Sequence, residues 1–397
     1  MRLGSLGLGH MVDVIRSFLS RNTPAELERP VTFRRLAING KYLGAGPTGV
    51  HRVADQLIQQ LVCRERDLAD LFPEALCIVA PRNLPEQTRF TAKTERRGVF
   101  SGQLWEQFDL PRLTRSDLLL NLCNLGPMMS TGAITMIHDA QVFITPGSYP
   151  RSFAAFYQQV LPILGRRHAR ILTGSEFTAT QLVRLGVAEH DRISVIPDGG
   201  DHILSYEACP EILERFHLKR HKFVVGLANV QVHKNIGLLL KAFSDPALSE
   251  LRLVLVGGAD RKQFEALGHS VSQNVTFTGR VEDGELRALL ETALCVAFPS
   301  TTEGFGLPPL EGMMLGCPAV LAPCGALPEV GGKAALFAAP DDPRQWVSAI
   351  SRLAGDHDAW EKYSQASREQ AGLLTWSRAG EKLVEVIKMV VSNKSPS

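Results

Sequence analysis

From residue 32 onward, short apolar runs alternate with longer stretches whose apolar residues recur at helical spacing. LAIN (36–39), ALCIVA (75–80), LLLNLC (118–123), ITMIHD (134–139), RILTGS (170–175) and ISVIPD (193–198) predict one series of strands. KFVVGLAN (222–229), LRLVLVGG (251–258), NVTFTG (274–279), CVAFPS (295–300) and PAVLAP (318–323) predict a second series. Near-continuous Val, Ile and Leu in strands separated by helices indicates parallel sheets covered on both faces. Two such series predict an α/β protein of two Rossmann-like domains, joined between residues 203 and 221, where no strand pattern appears. Ligands of such sheets lie beyond the carboxyl ends of the strands, which places the expected site in a cleft between the domains.

The ends of the chain follow other patterns. Met11, Ile15, Phe18 and Leu19 recur at helical spacing, but His10, Asp13 and Arg16 interrupt anything like a signal core. A membrane-surface helix, a helix packed on its own protein and a poorly ordered extension all satisfy that stripe. LLTWSRAGEKLVEVIKMVV (373–391) reads as an amphipathic helix opening at Trp376, followed by a loose tail, NKSPS. The expected divisions are an extension at 1–30, domains at 31–205 and 206–372, and a final helix and tail at 373–397.

Composition narrows the function. A chain of 397 residues can build two substantial cores, and its 43 basic and 41 acidic residues give no concentrated basic face for nucleic acid. Seven scattered cysteines fit a reduced, cytoplasmic protein without structural zinc.

The richest stretch is FPSTTEGFGLPPLEGMMLGCPAV (298–320). It predicts a strand, a glycine-rich loop and a helix whose first turn takes Pro308 and Pro309. Free N–H groups at a helix start seat an anion, and Gly304 and Gly306 let backbone approach it. Glu303 can accept bonds from sugar hydroxyls, and Glu311 can take both hydroxyls of a ribose. Acids flanking a phosphate seat suggest a nucleotide sugar.

EGFGLPPLE resembles the E-x7-E motif of retaining glycosyltransferases of the GT-B fold, glycosyltransferase family 4. The resemblance covers nearly the whole chain after residue 30, most strongly residues 222–340, and leans towards the exopolysaccharide and mannosyltransferase branch. It implies a hexosyl transfer, with GDP-mannose favoured, from a GDP- or UDP-hexose to a glycan or polyprenyl-linked oligosaccharide. It implies no metal or cofactor, a final helix crossing back to the first domain, and a cytoplasmic enzyme with room for peripheral contact on the inner face of the membrane.

The resemblance also assigns residues. In ANVQVHKN (228–235), Lys234 becomes a diphosphate ligand and Asn229 joins the donor set; His233 stands where the family usually carries a base. Gly304, Phe305, Gly306 and Leu307 line the diphosphate and sugar, Glu311 the ribose, and Arg280 of GRV (279–281) the base. The catalytic set is His138, Glu303 and Lys234. Thr48 and Gly49, in GAGPTG (44–49), would offer N–H groups to phosphate; a dinucleotide reading of that loop needs an acid after ALCIVA, where Pro81 and Arg82 stand. His138 of IHDA would contact donor sugar or acceptor, with a pKa near the working pH. WEQFDLP (105–111) receives no chemical role, RRHAR (166–170) reads as a solvated helix face with contact to anionic lipid or a lipid-linked pyrophosphate as the alternative, and Asp356 and Asp358 read as helix capping. A catalytically silent subunit that binds nucleotide sugar and supports a partner enzyme remains the alternative.

Overall fold

The structure is a computed structural model and describes residues 33–46, 48–84 and 90–393. The 1–30 extension with its apolar stripe, Pro47 of the glycine loop, and residues 394–397 of the tail lie outside the described residues. The chain forms two compact units, 1–197 with 377–397, and 198–376.

The first unit holds a seven-stranded sheet in the order β3-β2-β1-β4-β5-β6-β7. Its strands are β1 (Leu36–Asn39), β2 (Cys77–Pro81), β3 (Lys93–Arg97), β4 (Leu118–Asn121), β5 (Ile134–Met136), β6 (Arg170–Thr173) and β7 (Ile193–Val195). All pair in parallel; Ala37 of β1 faces Cys77 on one side and Leu119 on the other. The strand read from ITMIHD stops at Met136, so His138 and Asp139 fall in the loop beyond it.

The second unit holds six parallel strands in the order β10-β9-β8-β11-β12-β13. They are β8 (Phe223–Leu227), β9 (Arg252–Val256), β10 (Val275–Gly279), β11 (Cys295–Phe298), β12 (Ala319–Leu321) and β13 (Leu336–Phe337). Phe223, Phe243 and Trp346 are buried to within 2% of fully in its core. Each contributes roughly 1.5–3 kcal/mol by leaving water.

Two strands escape the sequence pattern. KTERR forms the edge strand β3 with no apolar face, held because Glu95 binds the guanidinium of buried Arg35 (3.0 and 3.3 Å) and Arg35 also binds Asp117. The second is the two-residue β13. WEQFD forms a π-helical turn. Its Trp105 indole donates to the Arg97 carbonyl and Asp109 accepts from the Val99 and Phe100 N–H groups, so this segment braces the loop after β3.

The unit boundaries differ from those expected. The second unit begins at Asp198, not 206, because Gly200 packs on Leu310 and His202 bonds Glu311. The final helix, Trp376–Ser392, returns to the first unit from Ser377. There Gly380 admits the close approach of Gln60, and Arg64 donates to the Ser377 hydroxyl at 2.7 Å. Among the described residues no helix is long and apolar enough to cross a membrane.

Candidate functional site

Strand order locates the chemistry of the second unit. The chain winds from β8 towards β9 in one direction and from β11 towards β12 in the other, so β8 and β11 bound the switch point, beyond whose carboxyl ends ligands of such sheets generally bind. Lys234 follows β8 and Glu303 follows β11. The Lys234 Nζ lies 2.8 and 2.9 Å from the two oxygens of Glu303, with both side chains largely buried. Asn235 fixes the lysine from behind. It adopts a left-handed φ of 53° and donates its amide to the carbonyls of Pro299 and Pro340.

His233, beside this pair, is 2% exposed. Burial, aided by the Lys234 charge and against the pull of Glu303, pushes its pKa down to about 4. It is neutral at physiological pH. The positive charge that the family usually places here is therefore not supplied by His233.

After Glu303 the chain turns through Gly306 (φ 122°) into the helix Leu307–Met314. Pro308 and Pro309 carry no N–H, and the Leu310 N–H bonds the Gly306 carbonyl. The N–H groups of Gly306 and Leu307 bond no oxygen among the described residues. Two unspent donors at a helix start form an anion seat beside a cation and a carboxylate. Glu311, one turn in and 4% exposed, takes a bond from His202 Nε2 at 2.8 Å; His202 Nδ1 lies 3.0 Å from the Trp376 indole nitrogen. Gly325 (φ 61°) lies so close to Glu303 that a Cβ would meet its backbone nitrogen at 2.4 Å.

Asn229 spends its amide on Gln231, and Arg280 lies exposed, with its guanidinium 3.6 Å from where a Cβ on Gly258 would sit. A cavity of about 770 Å³ opens beside Asn229, Asn235, Lys241 and His269, but Lys234, Glu303 and Glu311 do not line it.

In the first unit the equivalent switch point lies between β1 and β4. Buried Glu106 accepts from the Asn39 amide at 2.8 Å and from Lys41, and Asn39 in turn donates to Asn121 at 3.0 Å. Thr48 caps the helix Gly49–Cys63 by accepting from the His51 N–H. His138 Nε2 lies 2.7 Å from the Leu122 carbonyl, which can only accept, so this nitrogen carries the hydrogen and Nδ1 the lone pair. Burial pushes its pKa down to about 4 against the pull of that carbonyl, not to the working pH expected.

RRHAR is a solvated face only in part: Arg166 is exposed, but the residues after it turn inward. His168 is fully buried between Thr135 and Pro127, and Arg170 binds Ser194 and the Ile193 carbonyl. Asp356 caps the helix His357–Ala371 through the Ala359 N–H at 2.9 Å, as the sequence suggested. Among the described residues no cluster of His, Cys, Asp or Glu is arranged to hold a metal.

The structure thus gathers Lys234, Glu303, Gly304, Phe305, Gly306, Leu307 and Glu311 on the second unit, and leaves His138, Thr48 and Gly49 on the first. Sequence reading missed His202, Gly325 and Asp198. The signal available was the run DGGDH (198–202), five polar or glycine residues that follow the end of β7 after two intervening residues.

Comparisons with known proteins bear on the fold and class of the chain. Residues 221–356 match the family model for glycosyl transferases group 1. O-antigen chain mannosyltransferase B of Escherichia coli is 28% identical over 269 residues, 65% of this chain and 70% of that protein. O-antigen chain mannosyltransferase RfbU of Salmonella typhimurium is 23% identical over 322 residues, 80% of this chain and 87% of that one. The crystal structure of Anabaena HepE with UDP and glucose superposes with a TM-score of 0.67 at 16% identity, over 90% of this chain and all of HepE. The fold is GT-B, and the class is a glycosyltransferase. The resemblance to glycosyl transferases group 1 is carried by the second unit, where the family model falls.

Proposed function

We propose that the protein is a retaining hexosyltransferase that moves a mannosyl unit from GDP-mannose to a glycan or polyprenyl-linked oligosaccharide. The observation that carries the donor reading is the group at the β8/β11 switch point: Lys234 on both oxygens of Glu303, beside the unspent N–H groups of Gly306 and Leu307. Mannosyl as the sugar draws support from the names of the O-antigen relatives.

In this reading Glu311 holds the ribose, Lys234 with the two amides takes the diphosphate, and Glu303 with Phe305 meets the sugar. Arg280 and Asn229 stand towards the nucleotide. When diphosphate arrives, Lys234 shares its charge between Glu303 and the incoming anion. As the sugar–oxygen bond breaks, charge grows on the diphosphate, where fixed amides and the ammonium stabilise it without reorganising. The leaving phosphate oxygen takes the acceptor proton on the same face, so the protein supplies no nucleophile and needs no metal. Acceptor recognition falls to the first unit, with Thr48 and Gly49 at a helix start. There His138 offers the Nδ1 lone pair as a hydrogen-bond acceptor, since Nε2 is already committed.

The test is transfer from GDP-mannose to a lipid-linked oligosaccharide, with the product read by NMR. An α-linked product from the α-linked donor is expected. A β-linked product overturns retention, and no GDP release with any acceptor or with water overturns the enzymatic reading.

A further inference from the structure

The buried carboxylate Glu311 is held by a chain of bonds that no motif announces. The Trp376 indole N–H can only donate, so His202 Nδ1, 3.0 Å away, must offer its lone pair. His202 Nε2 therefore carries the hydrogen and gives it to Glu311 Oε1 at 2.8 Å. A single tautomer satisfies both nitrogens, and Glu311 Oε2 accepts no bond among the described residues.

The backbone around His202 is fixed as firmly. The Trp376 N–H bonds Asp201 Oδ1 at 2.7 Å, and the Gly200 N–H bonds the Leu374 carbonyl at 3.1 Å. A Cβ at Gly199 would meet the Trp376 nitrogen at 2.2 Å, and one at Gly200 would meet Leu310 at 2.8 Å. The run 199–202 is thus wedged between the start of the final helix and the helix that carries Glu311.

We propose that His202, oriented by Trp376, is a positioning residue that turns Glu311 so that Oε2 reads the vicinal hydroxyls of the donor ribose, making the site selective for ribonucleotides. This rests on the reading of Glu311 as the ribose ligand. Without the imidazole, the carboxylate is free to rotate and its diol recognition weakens, while Lys234 and the helix start still hold the diphosphate.

The experiment measures, by calorimetry, the affinity of the full chain for GDP and UDP against their 2′,3′-dideoxy counterparts. Wild type should prefer the ribonucleotide by about 10- to 100-fold, the scale of hydrogen bonds to a charged group. In His202→Phe, which keeps a ring and loses both nitrogens, the preference should fall to within about threefold of unity. His202→Gln, which keeps an N–H donor, should restore most of it. Should His202→Phe fail to fold, His202→Phe with Trp376→Phe removes both partners together, so that no stranded indole donor remains. A wild-type preference retained by a folded His202→Phe or by the double variant overturns the positioning role. Glu311→Ala separates the two layers: if it too keeps the full preference, the ribose reading falls and the proposal with it. If Glu311→Ala abolishes the preference and the His202 variants do not, only the proposal falls.

Discussion

Each unit places a lysine and a glutamate at the switch point of its sheet, and the two pairs differ in how the carboxylate is occupied. Glu106 is 1% exposed, with one oxygen on Asn39 and the other on Lys41. Asn39 continues the network to Asn121, so Glu106 joins the loop after β1 to the π-helical turn. Glu303 has both oxygens on one ammonium, beside two backbone donors that bond nothing among the described residues. The first arrangement is closed and acts as a strut. The second leaves bonding capacity for an anion that is not part of the chain. Identical residue types at the same topological place thus do different work, and the neighbouring bonds decide which.

Substitutions separate the two. Lys234→Ala should lower mannosyl transfer by about two to three powers of ten, the usual scale for losing one preorganised electrostatic group. Unchanged steady-state rates would leave the open pair without a role. Glu106→Ala should cost about 3 kcal/mol in urea unfolding, because Asn39 and Lys41 lose their acceptor in a buried setting. A loss below about 1 kcal/mol would show that the closed pair is no strut.

Asp198 sharpens the contrast, as a carboxylate with a buried oxygen, Oδ1, that has no hydrogen-bond partner among the described residues. Burial pushes its pKa up to about 7. The unfolded chain releases this proton near pH 4 and the folded chain only near pH 7, so stability falls as pH rises through that window and the loss persists above it. Asp198→Asn removes the titration. Its stability relative to wild type should rise by about 2–3 kcal/mol between pH 5 and pH 8, taking about 1.4 kcal/mol per pKa unit. A pH-independent difference in thermal unfolding would reject the raised pKa. Asp356→Ala, outside both clusters, should cost only about 1 kcal/mol by uncapping a helix and leave transfer unchanged.

Much of this was legible because parallel strands buried on both faces write themselves as Val/Ile/Leu runs. LAIN became β1 without a shift of boundary, whereas KTERR was invisible because its stability comes from ion pairs with Arg35. The E-x7-E stretch declared the helix start, its glycines and both acids. It could not show that Lys234 would sit on Glu303, since those residues meet only when β8 and β11 become neighbours. His138 illustrates the same gap. Its place beyond β5 was readable, but the burial that moves its pKa to about 4 depends on tertiary packing. Gly325 and His202 act on Glu303 and Glu311 from distant parts of the sequence, and neither stands in a spacing that marks it.

The most direct test is a crystal structure of the chain soaked with GDP-mannose. The account predicts diphosphate density within hydrogen-bond distance of Lys234 Nζ and the Gly306 and Leu307 N–H groups, with the ribose on Glu311. Diphosphate density beside Lys241 and His269, or anywhere away from Lys234 and those two N–H groups, would contradict it.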